Sequence, residues 1–222
     1  MQGKLIVFEG VEGCGKSTQL QALAKRLTAP EGGITTPEHP DGVPVITTRE
    51  PGGTPLGGEL RQLLLGQAMA SPTELLLYAA DRAQHVEEVI RPALAAGHWV
   101  LCDRFIDSTV AYQGYGRGLD LGLIQRLNQV ATGGLTPDLT LWLQLDAATG
   151  LSRTRQRGAA DRIEQADLAF HQRVQQGFET LAQQYPERIV PIDAAQPPAA
   201  VATAIFTVVE QHLQPWPNRL QT

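Results

Sequence analysis

Gly10-Val11-Glu12-Gly13-Cys14-Gly15-Lys16-Ser17-Thr18 fits the spacing G-x-x-x-x-G-K-[ST] of a phosphate-binding loop. A polyphosphate needs many N–H donors at close range. Glycines let the backbone approach and take unusual dihedrals, and the helix that follows adds uncapped N–H groups and a partial positive charge. Lys16 is expected to reach the β- and γ-phosphates, and the Ser17 hydroxyl to ligate Mg²⁺. The flanks agree. Lys4-Leu5-Ile6-Val7-Phe8 is an apolar run suited to a buried strand, and Leu20, Leu23, Ala24 and Leu27 recur on one helix face.

The chain has 222 residues, 42% hydrophobic and 18% charged, as expected of a globular protein with an ample core. Its formal net charge of −5 argues against a general grip on nucleic acid but leaves room for a small basic pocket. Of the two cysteines, Cys14 lies inside the loop and Cys102 at a strand end. Pairing them would disrupt the site, so a reducing cytoplasm is the simpler expectation. The first strand begins almost at once, leaving no room for a signal peptide, and no apolar run reaches the ~20 residues of a membrane span.

Beyond the first strand and helix, residues 28–44 carry Pro, Gly and Thr without periodicity and are expected to form a long mobile loop. Val45–Thr48 is a short strand, followed by Arg49-Glu50-Pro51-Gly52-Gly53-Thr54 and a helix to about Leu65. Ser71-Pro72-Thr73-Glu74 reads as a helix start, with Ser71 as N-cap and Glu74 closing a capping box. That helix should run towards Ile90 and be kinked or restarted by Pro92. Trp99–Cys102, Leu139–Leu145 and Arg188–Ile192 are further strands. Helices are expected from Asp120, from Ala147, up to Gln184, and from Ala199 to His212, with an irregular tail over 215–222. Strands alternating with helices predict a three-layer α/β fold of the P-loop NTPase type: five parallel strands, helices on both faces, and ligands beyond the carboxyl ends of the strands. The polar clusters fall at those ends.

Several functions fit a phosphate loop. A GTPase would carry N-K-x-D and D-x-x-G, and neither string occurs. Asp103 follows an apolar strand and is placed to hold Mg²⁺ with Ser17, directly or through water. Its neighbour Arg104 is of little use to an enzyme that transfers to water. A kinase with an anionic acceptor, in contrast, must surround two negative groups with cations. Arg49, Arg82 and Arg104 are expected at the mouth, with Arg153, Arg155, Arg157 and Arg162 in a separate cluster. Arg153 and Arg157 share a helix face. With Gly158-Ala159-Ala160 behind it, the segment of about 153–164 reads as a lid that closes over the donor.

The blocks Phe8–Thr18, Thr48–Gly53, Tyr78-Ala79-Ala80-Asp81-Arg82-Ala83-Gln84-His85, Asp103-Arg104 and Ala111-Tyr112-Gln113-Gly114 resemble those of the thymidylate kinase family, in order and spacing, over nearly the whole chain. The resemblance implies one nucleoside-monophosphate-kinase-like domain over 1–214 and a reaction of MgATP with dTMP to give dTDP and ADP. It implies that Gly10 to Thr18 hold ATP, that Tyr78 stacks on thymine, and that Arg82 reaches a base carbonyl. It sets Ser108, Thr109 and Gln113 near the polar edge of the base, and Tyr112 near the deoxyribose, against a 2′-hydroxyl. Glu12 would bind the 3′-hydroxyl, and Arg49 and Arg104 the acceptor phosphate. As in the bacterial branch, the catalytic arginine is expected in the lid, as Arg153 or Arg157, because the loop carries Gly13 where an arginine could sit. A homodimer is also implied. Tyr78 departs from the commoner Phe, and the 28–44 loop is longer than usual. A kinase for another monophosphate (UMP, CMP or dGMP) and a nucleotide-binding switch are the alternatives.

Overall fold

A computed structural model describes residues 3–29, 42–156 and 161–213. Five parallel strands, β1 (Leu5–Glu9), β2 (Val45–Arg49), β3 (Trp99–Asp103), β4 (Leu139–Gln144) and β5 (Ile189–Asp193), form one sheet in the order β2-β3-β1-β4-β5. The helices are α1 (Lys16–Leu27), α2 (Pro55–Gly66), α3 (Ser71–His85), α4 (Arg91–Ala95), α5 (Ile106–Thr109), α6 (Leu121–Thr132), α7 (Ala147–Arg155), α8 (Leu168–Gln184) and α9 (Pro198–Leu213). Strand order reverses beside β1, and the phosphate loop leaves β1 at that switch point, where an open α/β sheet forms its crevice.

The continuous apolar reading of β1 and β4 reflects burial on both faces. One core joins Ile6, Phe8, Leu101, Leu141 and Leu143 to Leu20, Leu23 and Leu27 of α1 and Val201, Ile205 and Val209 of α9, and continues to Phe170, Val174 and Phe178 of α8. The other joins Leu5, Val7, Val100 and Cys102 to Val86, Ile90, Ala93 and Leu94.

One local expectation needs correction. The α3 N-cap is Ala70, without a side-chain cap, and Ser71 is already helical. Glu74 turns inward instead of closing a capping box, since the partly buried Arg117 and Arg162 await it there. The helix restarts at Pro92 as expected: a π-helical segment, Val86–Ile90, carries the chain from α3 into α4, with Pro92 in the first turn of α4. That position needs no N–H. A second π-helical segment, Val110–Gly116, continues α5, where sequence periodicity assigned nothing. Most of the 28–44 loop and all of the 215–222 tail lie outside the described residues.

Candidate active site

The phosphate loop joins β1 to α1. Gly10, Gly13 and Gly15 have φ of 138°, 72° and 97°, a region that side-chain-bearing residues rarely adopt. At Gly13 an added Cβ would also lie 2.2 Å from the Gly150 carbonyl oxygen of α7. The loop therefore has no room for an arginine at that position. Gly15 caps α1 without a side chain, leaving first-turn N–H groups for an anion. Lys16 Nζ donates to the carbonyls of Gly10 (3.0 Å) and Val11 (3.1 Å) and contacts Cys14 Sγ. Ser17 Oγ donates to Asp103 Oδ2 at 2.8 Å, so the helix start and the end of β3 meet. A hydroxyl and a carboxylate at the phosphate end suit Mg²⁺, which keeps waters and phosphate oxygens for its remaining positions.

A cavity of about 260 Å³ opens beside Gly13, Cys14, Gly15 and Thr18, closed by Ala194 and Gln196 of the β5–α9 loop. Asp193 builds that loop, accepting from Ala195 N and Gln196 Nε2. Arg153 lines the cavity and donates to Ala194 O at 3.4 Å. Arg157 lies outside the described residues, and α7 ends at Arg155, so the shared face expected for Arg153 and Arg157 is not seen. Arg162, expected in the same cluster, is anchored elsewhere: Nε donates to Leu64 O and Nη2 lies 2.7 Å from Glu74.

The wall facing the loop is built from α3, β3 and the α5 segment. Arg104 follows β3 with φ 72°. A non-glycine residue pays about 1–2 kcal/mol there, so its surroundings must hold it. Its N–H donates to Phe8 O; Nη1 donates to Gly10 O (3.1 Å) and Ser108 Oγ (3.2 Å), and Nη2 to Glu12 (3.0 Å). Glu12 also accepts from the Tyr112 hydroxyl, and His171 Nδ1 lies 3.3 Å away. Burial pushes the Glu12 carboxyl up, but His171, Arg104, Lys16 and Tyr112 together hold it down at about 2. Glu12 is thus an anion, not a solvated loop charge. The Tyr112 ring is fixed edge-on between Phe170 and Phe178.

Arg82 departs from its expected place at the mouth. It is 2% exposed, and four N–H groups are taken: Nε by Glu50, Nη1 by Thr109 and Asn128, and one of Nη2 by Phe105 O. A single Nη2 N–H remains to meet a base carbonyl. Glu50 also pairs with His85, whose other ring nitrogen meets Thr48 Oγ1. Thr109 and Gln113 are buried as well, Thr109 accepting from Arg82 and Gln113 donating to Glu74. The Ser108 hydroxyl belongs to the Arg104 network, accepting from Arg104 Nη1 and donating to Glu9 Oε2. Tyr78 is half-buried on α3, and burial raises its hydroxyl to about 12. Arg49 ends β2 exposed.

Four further residues shape the site without being anticipated. Arg61 donates to Pro51 O, its pKa lowered by burial and by Arg49. Glu74 gathers Gln113, Arg117 and Arg162. His171 lies against Glu12. Glu9, fully buried, accepts from Phe105 N, Ser108 N and Ser108 Oγ, and burial, then Asp107, push it up to about 7. Only Glu9 left a visible sign, as a charge ending an apolar strand.

Residues 8–205 match the family model described as thymidylate kinase. A thymidylate kinase of a Cyanothece strain is 57% identical, covering 97% of both chains. One from Nostoc punctiforme is 54% identical over 98% of this chain and 100% of the relative. The crystal structure of thymidylate kinase from Ehrlichia chaffeensis superposes with a TM-score of 0.75 at 34% identity, covering 94% of this chain and 100% of that one.

Proposed function

The chain belongs to the thymidylate kinase family, and from that premise we propose how its residues divide the work. The enzyme transfers the γ-phosphoryl group of ATP to dTMP, giving ADP and dTDP. One observation carries the assignment of roles: Lys16 of the donor loop and Arg104 of the acceptor wall donate to the same carbonyl, that of Gly10, at 3.0 and 3.1 Å. Cations from the two substrate sides converge on one oxygen, where two phosphates would have to meet.

The acceptor phosphate has a second pKa near ~6, so at neutral pH its oxygen attacks as a dianion and needs no general base. The bond from γ-phosphorus to the β–γ bridging oxygen breaks as the new P–O bond forms, and ADP leaves. The protein's contribution is position and charge. Lys16 and the loop amides hold the donor; Arg104, with Arg49 at the mouth, holds the acceptor; the 153–164 lid supplies Arg153 or Arg157 and excludes water. Ser17 and Asp103 would hold Mg²⁺, which supplies charge neutralisation on ATP. Glu12, kept ionised, accepts the sugar 3′-hydroxyl, and the packed Tyr112 ring leaves no room at the 2′ position. Tyr78 stacks on thymine, with Arg82, Thr109 and Gln113 behind it.

Among the described residues no helix is long and apolar enough to cross a membrane, and both cysteines are free. We place the enzyme in the cytoplasm on that chemistry. Leu63, Leu76 and Val130 lie exposed on α2, α3 and α6, helices that pack on one another in that order, and we infer from these apolar positions that the chain pairs as a homodimer.

A coupled ADP-release assay with MgATP tests the substrate reading, comparing dTMP with dUMP, dCMP, dGMP, UMP and no acceptor. A large dTMP-selective rate is expected. Equal slow release with every acceptor and with none would overturn it.

A further inference from the structure

Glu9 is the last residue of β1, immediately before the phosphate loop, and nothing in the transfer reaction calls on it. Its carboxylate is fully buried and satisfied by one short stretch of chain. Oε1 accepts the N–H groups of Phe105 (2.8 Å) and Ser108 (3.0 Å), and Oε2 accepts the Ser108 hydroxyl (2.6 Å). Phe105 is the N-cap of α5 and Ser108 its third residue; Phe105 has no side-chain oxygen and no local cap forms. In a capping box those two N–H groups are satisfied by two local side chains. Here a single carboxylate from the neighbouring strand satisfies both.

The capped turn carries Arg104. Its backbone lies in the left-handed region one residue before Phe105. Its Nη1 donates to the same Ser108 hydroxyl that donates to Glu9. Glu9 therefore grips Arg104 twice, through the backbone that follows it and through Ser108 Oγ. We propose that Glu9 is a positioning residue for the acceptor arginine: by capping α5 and holding the Ser108 hydroxyl, it fixes the Arg104 guanidinium where the acceptor phosphate binds. This rests on the reading of Arg104 given under Proposed function. One residue thereby ties the strand that launches the donor loop to the cation of the other substrate.

Steady-state kinetics on the full chain test it, with KM measured separately for dTMP and ATP. Glu9→Ala should raise the dTMP KM about tenfold or more, the scale of a lost hydrogen bond to a charged group, and leave the ATP KM within about twofold. Glu9→Asp, which keeps the charge but withdraws the carboxylate, should act the same way and carries the test if the alanine variant does not fold. Glu9→Gln keeps an oxygen for both N–H groups and should stay within about threefold of the parent. In an Arg104→Ala background, Glu9→Ala should add less than about twofold, because its effect runs through that arginine. A folded Glu9→Ala or Glu9→Asp protein with unchanged dTMP KM, or with both KM values raised equally, would overturn the inference. Should Arg104→Ala itself leave dTMP KM unchanged, the reading of Arg104 falls first, and the role of Glu9 with it.

Discussion

The two sides of the site are built differently. The donor side is nearly all local: three glycines at positive φ, one lysine and one helix start within nine consecutive residues, Gly10 to Thr18. The acceptor side is a tertiary construction in which Glu74, Arg82 and His85 of α3 meet Glu50, Thr109 and Gln113 from other parts of the chain, and Arg104 meets Glu12, in ion pairs and hydrogen bonds. A backbone cradle can lose one side chain and keep its shape. A wall of buried charges cannot, because each partner removed strands another.

The sharpest way to break that contrast is at Arg82. Arg82→Ala leaves Glu50 buried with only His85 and strips the donor from Thr109. The expected loss is about 3–5 kcal/mol of stability, which for a chain of this size lowers the thermal midpoint by about 2–4 °C per kcal/mol. Calorimetry measures it. Lys16→Ala is the counterpart on the donor side. It should cost about 10²–10³ in kcat, on the scale of removing one preorganised oxyanion donor, while the midpoint barely moves. A stable Arg82→Ala protein, or an unstable Lys16→Ala one, would erase the distinction.

A smaller effect belongs to Tyr78. Base stacking on an aromatic side chain is worth about 1–3 kcal/mol by alanine substitution. Tyr78→Ala should weaken dTMP binding by that much in calorimetric titration and leave ATP binding unaltered. Tyr78→Phe, which keeps the ring, should bind like the parent. Weakened ATP binding in Tyr78→Ala would mean that the residue supports the fold rather than the base.

The same division explains how much of the molecule is legible in its sequence. The loop, the five strands, their parallel arrangement and the meeting of Ser17 with Asp103 follow from contiguous patterns and from the rule that parallel strands end together. The acceptor wall is legible only as residue identities, Arg82, Thr109 and Gln113, carried by resemblance. Their burial is not, since a charged residue on a helix looks solvated until its partner, here Glu50 thirty-two residues earlier, is seen beside it. Glu74 misleads for a related reason: Ser-Pro-x-Glu satisfies a local capping rule, but Gln113, Arg117 and Arg162 offer more to the carboxylate than a backbone N–H does. The α5 segment stays unread because its cap, Glu9, lies on another strand and its π-helical continuation has no 3.6-residue period.

Glu9 and Glu12 sharpen the comparison within one stretch of chain. Only Gly10 and Val11 separate them, yet burial and Asp107 push the first up to about 7, while His171, Arg104, Lys16 and Tyr112 overcome burial to hold the second at about 2. Their pH signatures are opposite. Between about pH 4.5 and 7 the folded state keeps a proton on Glu9 that the unfolded chain has released, so stability falls as pH rises through that window. Glu12 contributes stability above about pH 4.5, and this is lost as pH falls towards about 2. Each tenfold difference in proton affinity between the folded and unfolded states corresponds to about 1.4 kcal/mol. Glu9→Gln should therefore flatten the midpoint-versus-pH curve between 4.5 and 7 and raise the midpoint at pH 8, whereas Glu12→Gln should lower the midpoint at pH 8 and flatten the curve below 4.5. Thermal melts of the two variants across pH decide it. If Glu9→Gln lowered the midpoint at pH 8, the Glu9 charge would be a net stabiliser of the Arg104 turn, and the contrast between the two carboxylates would collapse.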